Sequence, residues 1–298
     1  MPSFILLSLF ASLAYGASDF FGGLAARRLN LIHATAGTYL VATVVIGVWL
    51  AIDPGVWTVD DAAVGALAGL LAVVGFVAFY AALAIGPMSL LSPAIALIGA
   101  VLPVAAAGIL GEKLAPLAWG AIALAVIATV LISIPSRASQ ERVTSRAAVL
   151  ALVAGLGLGG SIVAINASDE ASGLVPAFVE MLVGLGILGL VIIILRLNRH
   201  RFGLVAIFEP PPASTRQRLT ARRAWGSSAI AGLLLGAANA LILLALHAGS
   251  LAIVSVLVSL YPLATVVLAA LVLRERITVV QALGIVLAIA ACVILALA

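Results

Sequence analysis

Two acidic side chains, Asp19 and Glu180, stand inside long apolar runs of the sequence. A charge at membrane depth costs at least ~2.5 kcal/mol, so it normally faces a protein interior or a water-filled cavity. Glu180 lies about six residues into its run, roughly 9 Å deep at 1.5 Å per residue. An acid at that depth can exchange a proton for a substrate. The alternatives are a neutral hydrogen-bonded packing residue or a side chain that snorkels outward, and for Asp19 an ion pair with Arg27 or Arg28.

Uncharged polar side chains form a second group inside the apolar runs. Each one alone is suited to hydrogen-bond the backbone of a neighbouring helix. Together they concentrate in a few of the runs and predict a shared cavity with neutral donors and acceptors. Ser255 and Ser259 are four residues apart, so they share one helical face. Besides the two acids, the candidate substrate-binding or coupling residues are Tyr15, Ser18, Tyr80, Ser92, Asn166, Asn239, Ser255, Ser259 and Tyr261.

The sequence lacks the patterns of metal, nucleotide and covalent chemistry. His33, His200 and His247 are far apart, and none belongs to a His-Glu-x-x-His arrangement. There is no glycine-rich phosphate loop followed by Lys and Ser or Thr. No nucleophile, base and orienting residue form a set near one membrane face. We therefore expect no metal, no cofactor, no catalytic residue and no enzyme activity.

Composition places the whole chain in a membrane. The 298 residues are 65% apolar and 9% charged, with a mean hydropathy of +1.33, whereas soluble domains are about 25% charged. Each transmembrane helix takes roughly 20 apolar residues, so ten of them use most of the chain and leave no room for a soluble domain. The expected fold is an all-α integral membrane protein with the lipid bilayer as its partner.

Breaks at charges, prolines and polar clusters divide the chain into ten apolar spans. The predicted spans are about 4–23, 31–52, 62–85, 88–110, 115–134, 147–165, 174–195, 227–247, 251–273 and 278–297. A polar linker at 135–146 separates five spans in residues 1–134 from five in residues 147–298. A second long connection at 196–226 contains three consecutive prolines and seven arginines.

The second half repeats the first. A shift of 163 residues aligns spans three to five with spans eight to ten and pairs Gly86 with Gly249, Ser92 with Ser255, and Glu112 with Glu275. Because five is an odd number, the second copy enters the membrane in the opposite orientation. That is the inverted-repeat plan of many secondary transporters, with the substrate near the midplane.

The basic residues predict the orientation. The connections after spans one, three, five, seven and nine contain fourteen of the fifteen lysines and arginines, and Lys113 is alone on the other side. The positive-inside rule then places these connections in the cytoplasm and both termini outside. Basic residues in short connections also argue against nucleic-acid binding.

Prolines and small residues predict local helix geometry. Pro93, Pro103 and Pro262 remove backbone donors inside the spans and predict kinked helices beside a cavity. The three Gly-x-x-x-Gly pairs, which begin at Gly65, Gly155 and Gly232, predict close helix crossings.

The chain resembles the drug/metabolite transporter superfamily, and specifically the ten-helix EamA-type permeases built of two homologous five-helix units. The residues that carry the resemblance are Leu110-Gly111-Glu112-Lys113-Leu114 at the end of span four and Leu273-Arg274-Glu275-Arg276-Ile277-Thr278 at the end of span nine. Tyr261-Pro262-Leu263, Gln281-Ala282-Leu283-Gly284 and Tyr15-Gly16 also resemble the family pattern. Arg274 stands where relatives usually have Gly, which concerns helix-end packing.

The resemblance implies a secondary carrier in the cell membrane, commonly an exporter of amino acids or other small metabolites and sometimes of drugs. It also implies cytoplasmic termini, opposite to the arginine bias. We interpret Glu112 and Glu275 as structural residues that cap or pair at helix ends. The leading hypothesis is a monomeric carrier that moves a small metabolite by alternating access as its two halves rock. The alternatives are a proton-coupled exporter of cationic drugs with Glu180 as the exchangeable site, and a membrane-embedded enzyme or non-transporting subunit.

Overall fold

The computed structural model describes residues 3–26, 29–85, 88–134, 143–197, 217–272, 274 and 277–297. These residues fold into helices and turns, with no β-strand among them. The helices are α1 (Ser3–Ala26), α2 (Leu31–Ile52), α3 (Val59–Ile85), α4 (Met88–Ile109), α5 (Pro116–Ser133), α6 (Ser145–Ile165), α7 (Val175–Leu197), α8 (Gln217–Ala248), α9 (Leu251–Val258), α10 (Pro262–Val272) and α11 (Val279–Leu297).

In the described residues, the helices match the predicted spans in number and order, because α9 and α10 together form the ninth span. Nine helical segments of the described residues are long and apolar enough to cross a membrane, and Ala94–Ile109 is a shorter apolar helix. The structure therefore confirms the all-α membrane fold with two inverted five-helix repeats. The largest difference is α8, which begins ten residues before its predicted span because Gln217–Gly226 continues the helix beyond the apolar part.

The successive helices define two ends of the bundle. We call the end at which α1, α3, α5, α7 and α10 finish the basic face, because arginines follow every one of these helices except α3. The other end is the acidic face, where Asp53, Asp60 and Glu112 lie. Exposed tryptophans lie near both ends, as expected for the headgroup region of a bilayer; they are Trp49, Trp57, Trp119 and Trp225.

The two sequence repeats interleave in space. Helices α3, α4 and α6 pack together as group A, and α1, α8, α9 and α10 pack together as group B. Each group combines helices from both repeats, while α2 packs on α7 and α5 packs on α11 between the groups. Within the described part of the chain, the main contact between the groups is that of α4 with α9. The packing units are therefore different from the two sequence halves.

Glycines allow the closest helix crossings, including the three predicted Gly-x-x-x-Gly pairs. A Cβ atom on Gly65 would lie 2.4 Å from the Pro176 carbonyl oxygen, and one on Gly232 would lie 2.6 Å from the Thr38 carbonyl oxygen. At the α3–α6 crossing, a Cβ atom on Gly157 would lie 2.7 Å from Gly75 Cα. Larger residues at these positions would separate the backbones.

We expect Gly157→Ala to lower the stability of the protein by about 1–3 kcal/mol, the usual cost of overpacking. The new methyl group would meet the backbone of α3, which has no flexible end that could move aside. Gly186→Ala is the matched control, because nothing lies within 4 Å of its Cβ position. Thermal unfolding in detergent would check this, and equal melting temperatures for the two variants would contradict it.

Candidate functional site

The ninth span breaks in the middle of the bundle. Pro262 has no N–H, and its ring would clash with the carbonyl of Val258 in a continuous helix. The Val258 carbonyl oxygen instead accepts from the Tyr261 N–H at 3.0 Å, in a tight turn over Ser259, Leu260 and Tyr261. The predicted distortion at Pro262 is thus confirmed as a break, whereas α4 is a single helix through Pro93 and Pro103.

The break lies at the wall of a cavity of about 530 Å³. The lining extends to Leu24, Ser133 and Ala270, near the ends of α1, α5 and α10 at the basic face. On the acidic side lies α9, in which all eight residues are buried. The cavity lining therefore reaches the basic face, while the buried helix α9 lies on the acidic side of the cavity.

The two predicted acids both line this cavity. Glu180 is only 4% exposed, and its Oε1 accepts a hydrogen bond from Ser161 Oγ at 3.0 Å. Asp19, in α1 of group B, is half-buried, whereas Glu180 lies on α7 between the two groups. The Tyr15 ring lies 5.3 Å from the Tyr261 ring, centroid to centroid, and Tyr39 lines the same cavity. Two carboxyl groups and several tyrosine rings thus surround one space.

Close packing fixes the positions of these groups. A Cβ atom on Gly69 would lie 2.6 Å from the Glu180 carbonyl oxygen, so the glycine lets α3 support the backbone of the acid. A Cβ atom on Gly16 would lie 2.0 Å from the Tyr261 carbonyl oxygen. Thr265 Oγ1 donates to the Gly16 carbonyl oxygen at 2.9 Å across the same contact. The part of α1 that carries Tyr15 and Asp19 is therefore held against the break in the ninth span.

Seven of the eleven predicted residues line the cavity: Tyr15, Asp19, Glu180, Asn239, Ser255, Ser259 and Tyr261. Hydroxyl hydrogens of the two serines are used within the helix, because Ser255 donates to the Leu251 carbonyl oxygen and Ser259 to that of Val256. The Asn239 side chain likewise donates to the Leu235 carbonyl oxygen at 3.0 Å.

Two predicted residues lie elsewhere, and two cannot be placed. Ser18 is buried against α8 and donates to the Ala231 carbonyl oxygen at 2.9 Å, so it joins helices instead of lining the cavity. Asn166 ends α6 and is not part of the lining. The side chains of Tyr80 and Ser92 lie outside the described residues, as do Arg27 and Arg28, the predicted alternative partners of Asp19.

The sequence reasoning missed residues that complete the lining. Ser161 supports Glu180, Tyr39 is 2% exposed and contacts Phe76 edge to face, and Thr265 lies one turn after the break. Ser161 was recognisable as the single hydroxyl in a glycine-rich apolar span. Nothing in the sequence distinguishes a serine that supports an acid from one that binds a helix backbone.

The charged side chains of the described cavity lining all have the same sign. It contains two acids and six aromatic rings, and none of its residues is lysine, arginine or histidine. The N–H groups at the break are used internally: Leu263 donates to the Leu260 carbonyl oxygen, and Ala264 donates to that of Tyr261. In the described residues, these features favour positive charge over negative charge.

The described residues contain no group of three or more His, Cys, Asp and Glu side chains that could hold a metal ion. His247 Nε2 instead lies 3.0 Å from Ser168 Oγ at the acidic face.

Comparisons with known proteins identify a family and a solved structure that are similar to this chain. A profile of the EamA-like transporter family matches residues 2–134 and again residues 145–297. The comparison with curated proteins gave no match. A solved structure described only as "Crystal structure of protein" has a TM-score of 0.75 at 16% identity and covers 99% of this chain and 96% of its own. At that identity the likeness concerns the fold.

Proposed function

The chain belongs to the EamA-like transporter family, and we propose that it is a secondary active transporter that carries a small organic cation through the cavity between groups A and B. The observation that carries this proposal is the pair of acids, Asp19 and Glu180, in a cavity whose described lining has no basic residue. A zwitterionic amino acid would need a positive partner for its carboxylate. An amine or quaternary ammonium group needs only carboxylates and aromatic faces.

We propose that Glu180 exchanges the cation for a proton. A carboxylate buried in protein can be neutralised by a bound proton or by a bound cation, and the two compete for the same charge. When the cation binds, the proton leaves the carboxyl oxygen, and when the cation departs toward the other face a proton takes its place. Ser161 holds the carboxylate in position by donating to it in the ionised form.

Alternating access is proposed as a movement of group A against group B, and not of one sequence half against the other. In this proposal the groups separate at the basic face, where the cavity lining reaches the helix ends, and they meet where α4 contacts α9. The pairs α2–α7 and α5–α11 lie between the groups and can serve as hinges. If the arginine bias sets the orientation, the cavity faces the cytoplasm of a cell-membrane protein, and exchange of the cation for protons that enter the cell makes the direction export.

A ligand panel tests the substrate class. The purified protein in detergent is heated with phenyltrimethylammonium, leucine or benzoate as cationic, zwitterionic and anionic probes. We expect a rise in melting temperature with the cation alone, because ligands that bind the folded state stabilise it by mass action. Stabilisation by leucine or benzoate without stabilisation by the cation would overturn the proposed substrate class.

We expect Asp19→Asn to weaken cation binding by about tenfold, since one of two nearby carboxylates is lost. The amide keeps the size of the side chain, so the cavity keeps its shape. Asp60→Asn, which changes an exposed acid at the acidic face, is the matched control. Titration of the melting temperature against phenyltrimethylammonium measures both, and equal affinities in the two variants would remove Asp19 from the site.

A flux measurement distinguishes a transporter from a non-transporting subunit. Uptake of a solute into liposomes that contain only this protein would exclude a non-transporting subunit.

A further inference from the structure

The N-terminus of α9 is capped by a residue from the other repeat. Glu112 Oε2 accepts from Ser250 Oγ at 2.6 Å, and Glu112 Oε1 accepts from the Leu251 N–H at 2.8 Å. Glu112 Oε2 also accepts from the Ala252 N–H at 3.4 Å, and Ser250 Oγ accepts from the Ile253 N–H at 3.3 Å. The first N–H groups of a helix have no partner within it, and here three of them are satisfied in succession.

The end of α4 directs Glu112 into this position. Gly111 has φ +83°, a left-handed conformation that favours glycine. The Glu112 N–H then donates to the Ala107 carbonyl oxygen at 3.0 Å, as in a Schellman turn. The chain reverses there, and the Glu112 carboxylate reaches α9.

The cap crosses between the two helix groups. Glu112 follows α4 of group A, and Ser250 and α9 belong to group B. Its hydrogen bonds thus lie at the α4–α9 contact, on the closed side of the cavity. The acidic face can open only if α4 leaves α9, and that movement breaks the cap. The three donors and the carboxylate would then need new hydrogen bonds to water.

We propose that Glu112 is a positioning residue whose hydrogen bonds to α9 hold the acidic face of the transporter closed. The inference rests on the proposed alternating access but not on the substrate class. In this account Glu112 does not touch the substrate: it sets the population of the state in which the cavity opens toward the basic face.

The repeat does not provide the same pair of cap residues twice. The shift of 163 residues pairs Glu112 with Glu275 and Ser250 with Pro87, and the two counterparts lie outside the described residues. Proline has neither the hydroxyl group that Ser250 donates to Glu112 nor a backbone N–H. A side-chain hydrogen bond like that from Ser250 to Glu112 therefore cannot form between the residues at the counterpart positions.

A distance measurement tests the proposed role of the Glu112 cap without any substrate. Spin labels are attached at Lys113→Cys and Ala248→Cys, two exposed positions on either side of the cap, in a Cys292→Ala background. In the parent, pulsed electron paramagnetic resonance should give mainly the short distance of the closed face. In Glu112→Ala the ratio of the longer to the shorter distance should rise by about tenfold, as expected when charge-assisted hydrogen bonds are lost.

Two further variants keep the test decisive. Ser250→Ala removes one donor and should shift the ratio in the same direction by less, and it supplies the answer if Glu112→Ala fails to fold. Glu170→Gln changes an exposed acid of the same face and should leave the distances unchanged. A Glu112 or Ser250 variant that lowers the melting temperature but keeps the parental distances would show a purely structural cap and overturn the proposal. Failure of the cation panel with altered distances would instead overturn only the substrate class.

Discussion

Glu180→Gln is expected to abolish proton-coupled transport and to weaken cation binding by ~30-fold or more, because removing one partner of a buried charge pair costs about 2 kcal/mol or more. The amide is nearly the same size as the carboxyl group and can still accept from Ser161, so the helices should pack as before. The remaining difference is the charge, and a glutamine cannot release a proton to a cation. The loss should therefore concern function and leave the fold intact.

The measurement for Glu180→Gln is equilibrium binding of labelled phenyltrimethylammonium at several pH values. In the parent, protons and the cation should compete, so that affinity rises with pH over the range in which Glu180 loses its proton. In the variant this component of the pH dependence should disappear. Glu170→Gln carries the same change of charge at an exposed site and should bind like the parent. An unchanged affinity and an unchanged pH dependence in Glu180→Gln would remove Glu180 from the coupling mechanism.

Gly16→Ala is expected to eliminate transport by moving α1 away from the break in the ninth span. Its Cβ atom would lie 2.0 Å from the Tyr261 carbonyl oxygen and 2.9 Å from Ala264 Cβ, so the backbone itself would have to shift. The hydrogen bond from Thr265 to the Gly16 carbonyl oxygen would be lost or lengthened. Because Tyr15 and Asp19 are on the same helix, the shift would also displace two residues of the cation site.

Gly22→Ala is the matched control on the same helix. Its Cβ atom would lie 3.9 Å from Ala231 Cβ, an ordinary contact. Cation-induced stabilisation and transport should therefore persist in Gly22→Ala and be lost in Gly16→Ala. If Gly16→Ala bound and transported like the parent, the close approach of α1 to the break would have no functional role.

The sequence predicts the membrane fold and the repeat because both depend on local properties. Apolar runs of about 20 residues must either cross a membrane or be buried inside the protein. An odd number of spans in each repeat inverts the second copy. The interleaving of the repeats could not be predicted this way. The interleaving depends on which surfaces of α3 and α6, or of α1 and α8, fit together. Small residues such as Gly75 and Gly157 indicate that a close helix crossing exists, but they do not indicate which helix is the partner.

Part of the candidate site could also be predicted from local properties of the sequence. Asp19 and Glu180 were identified because a carboxyl group in an apolar run needs a special environment. Ser18 has the same local signal as Ser161, yet one bonds the α8 backbone and the other supports an acid. Glu112 was predicted as a helix-end residue, but its partners on α9 are separated from it by about 140 residues of sequence. Only the fold shows that they meet.

The position of the helix break also needed the structure. Pro103 and Pro262 both lie inside apolar spans, yet only the second interrupts its helix. At Pro262 the turn is completed by hydrogen bonds from Tyr261 to Val258 and from Ser259 Oγ to Val256. These bonds give the carbonyl groups near the proline new partners.

The most direct test of the central claim is uptake of phenyltrimethylammonium into liposomes that contain only this protein, driven by an imposed pH gradient. The account predicts that a lumen more acidic than the medium drives accumulation of the cation in exchange for protons, and that Glu180→Gln abolishes this accumulation. Leucine should not accumulate under the same gradient. Accumulation of leucine without the cation, or gradient-driven cation uptake that persists in Glu180→Gln, would contradict the account.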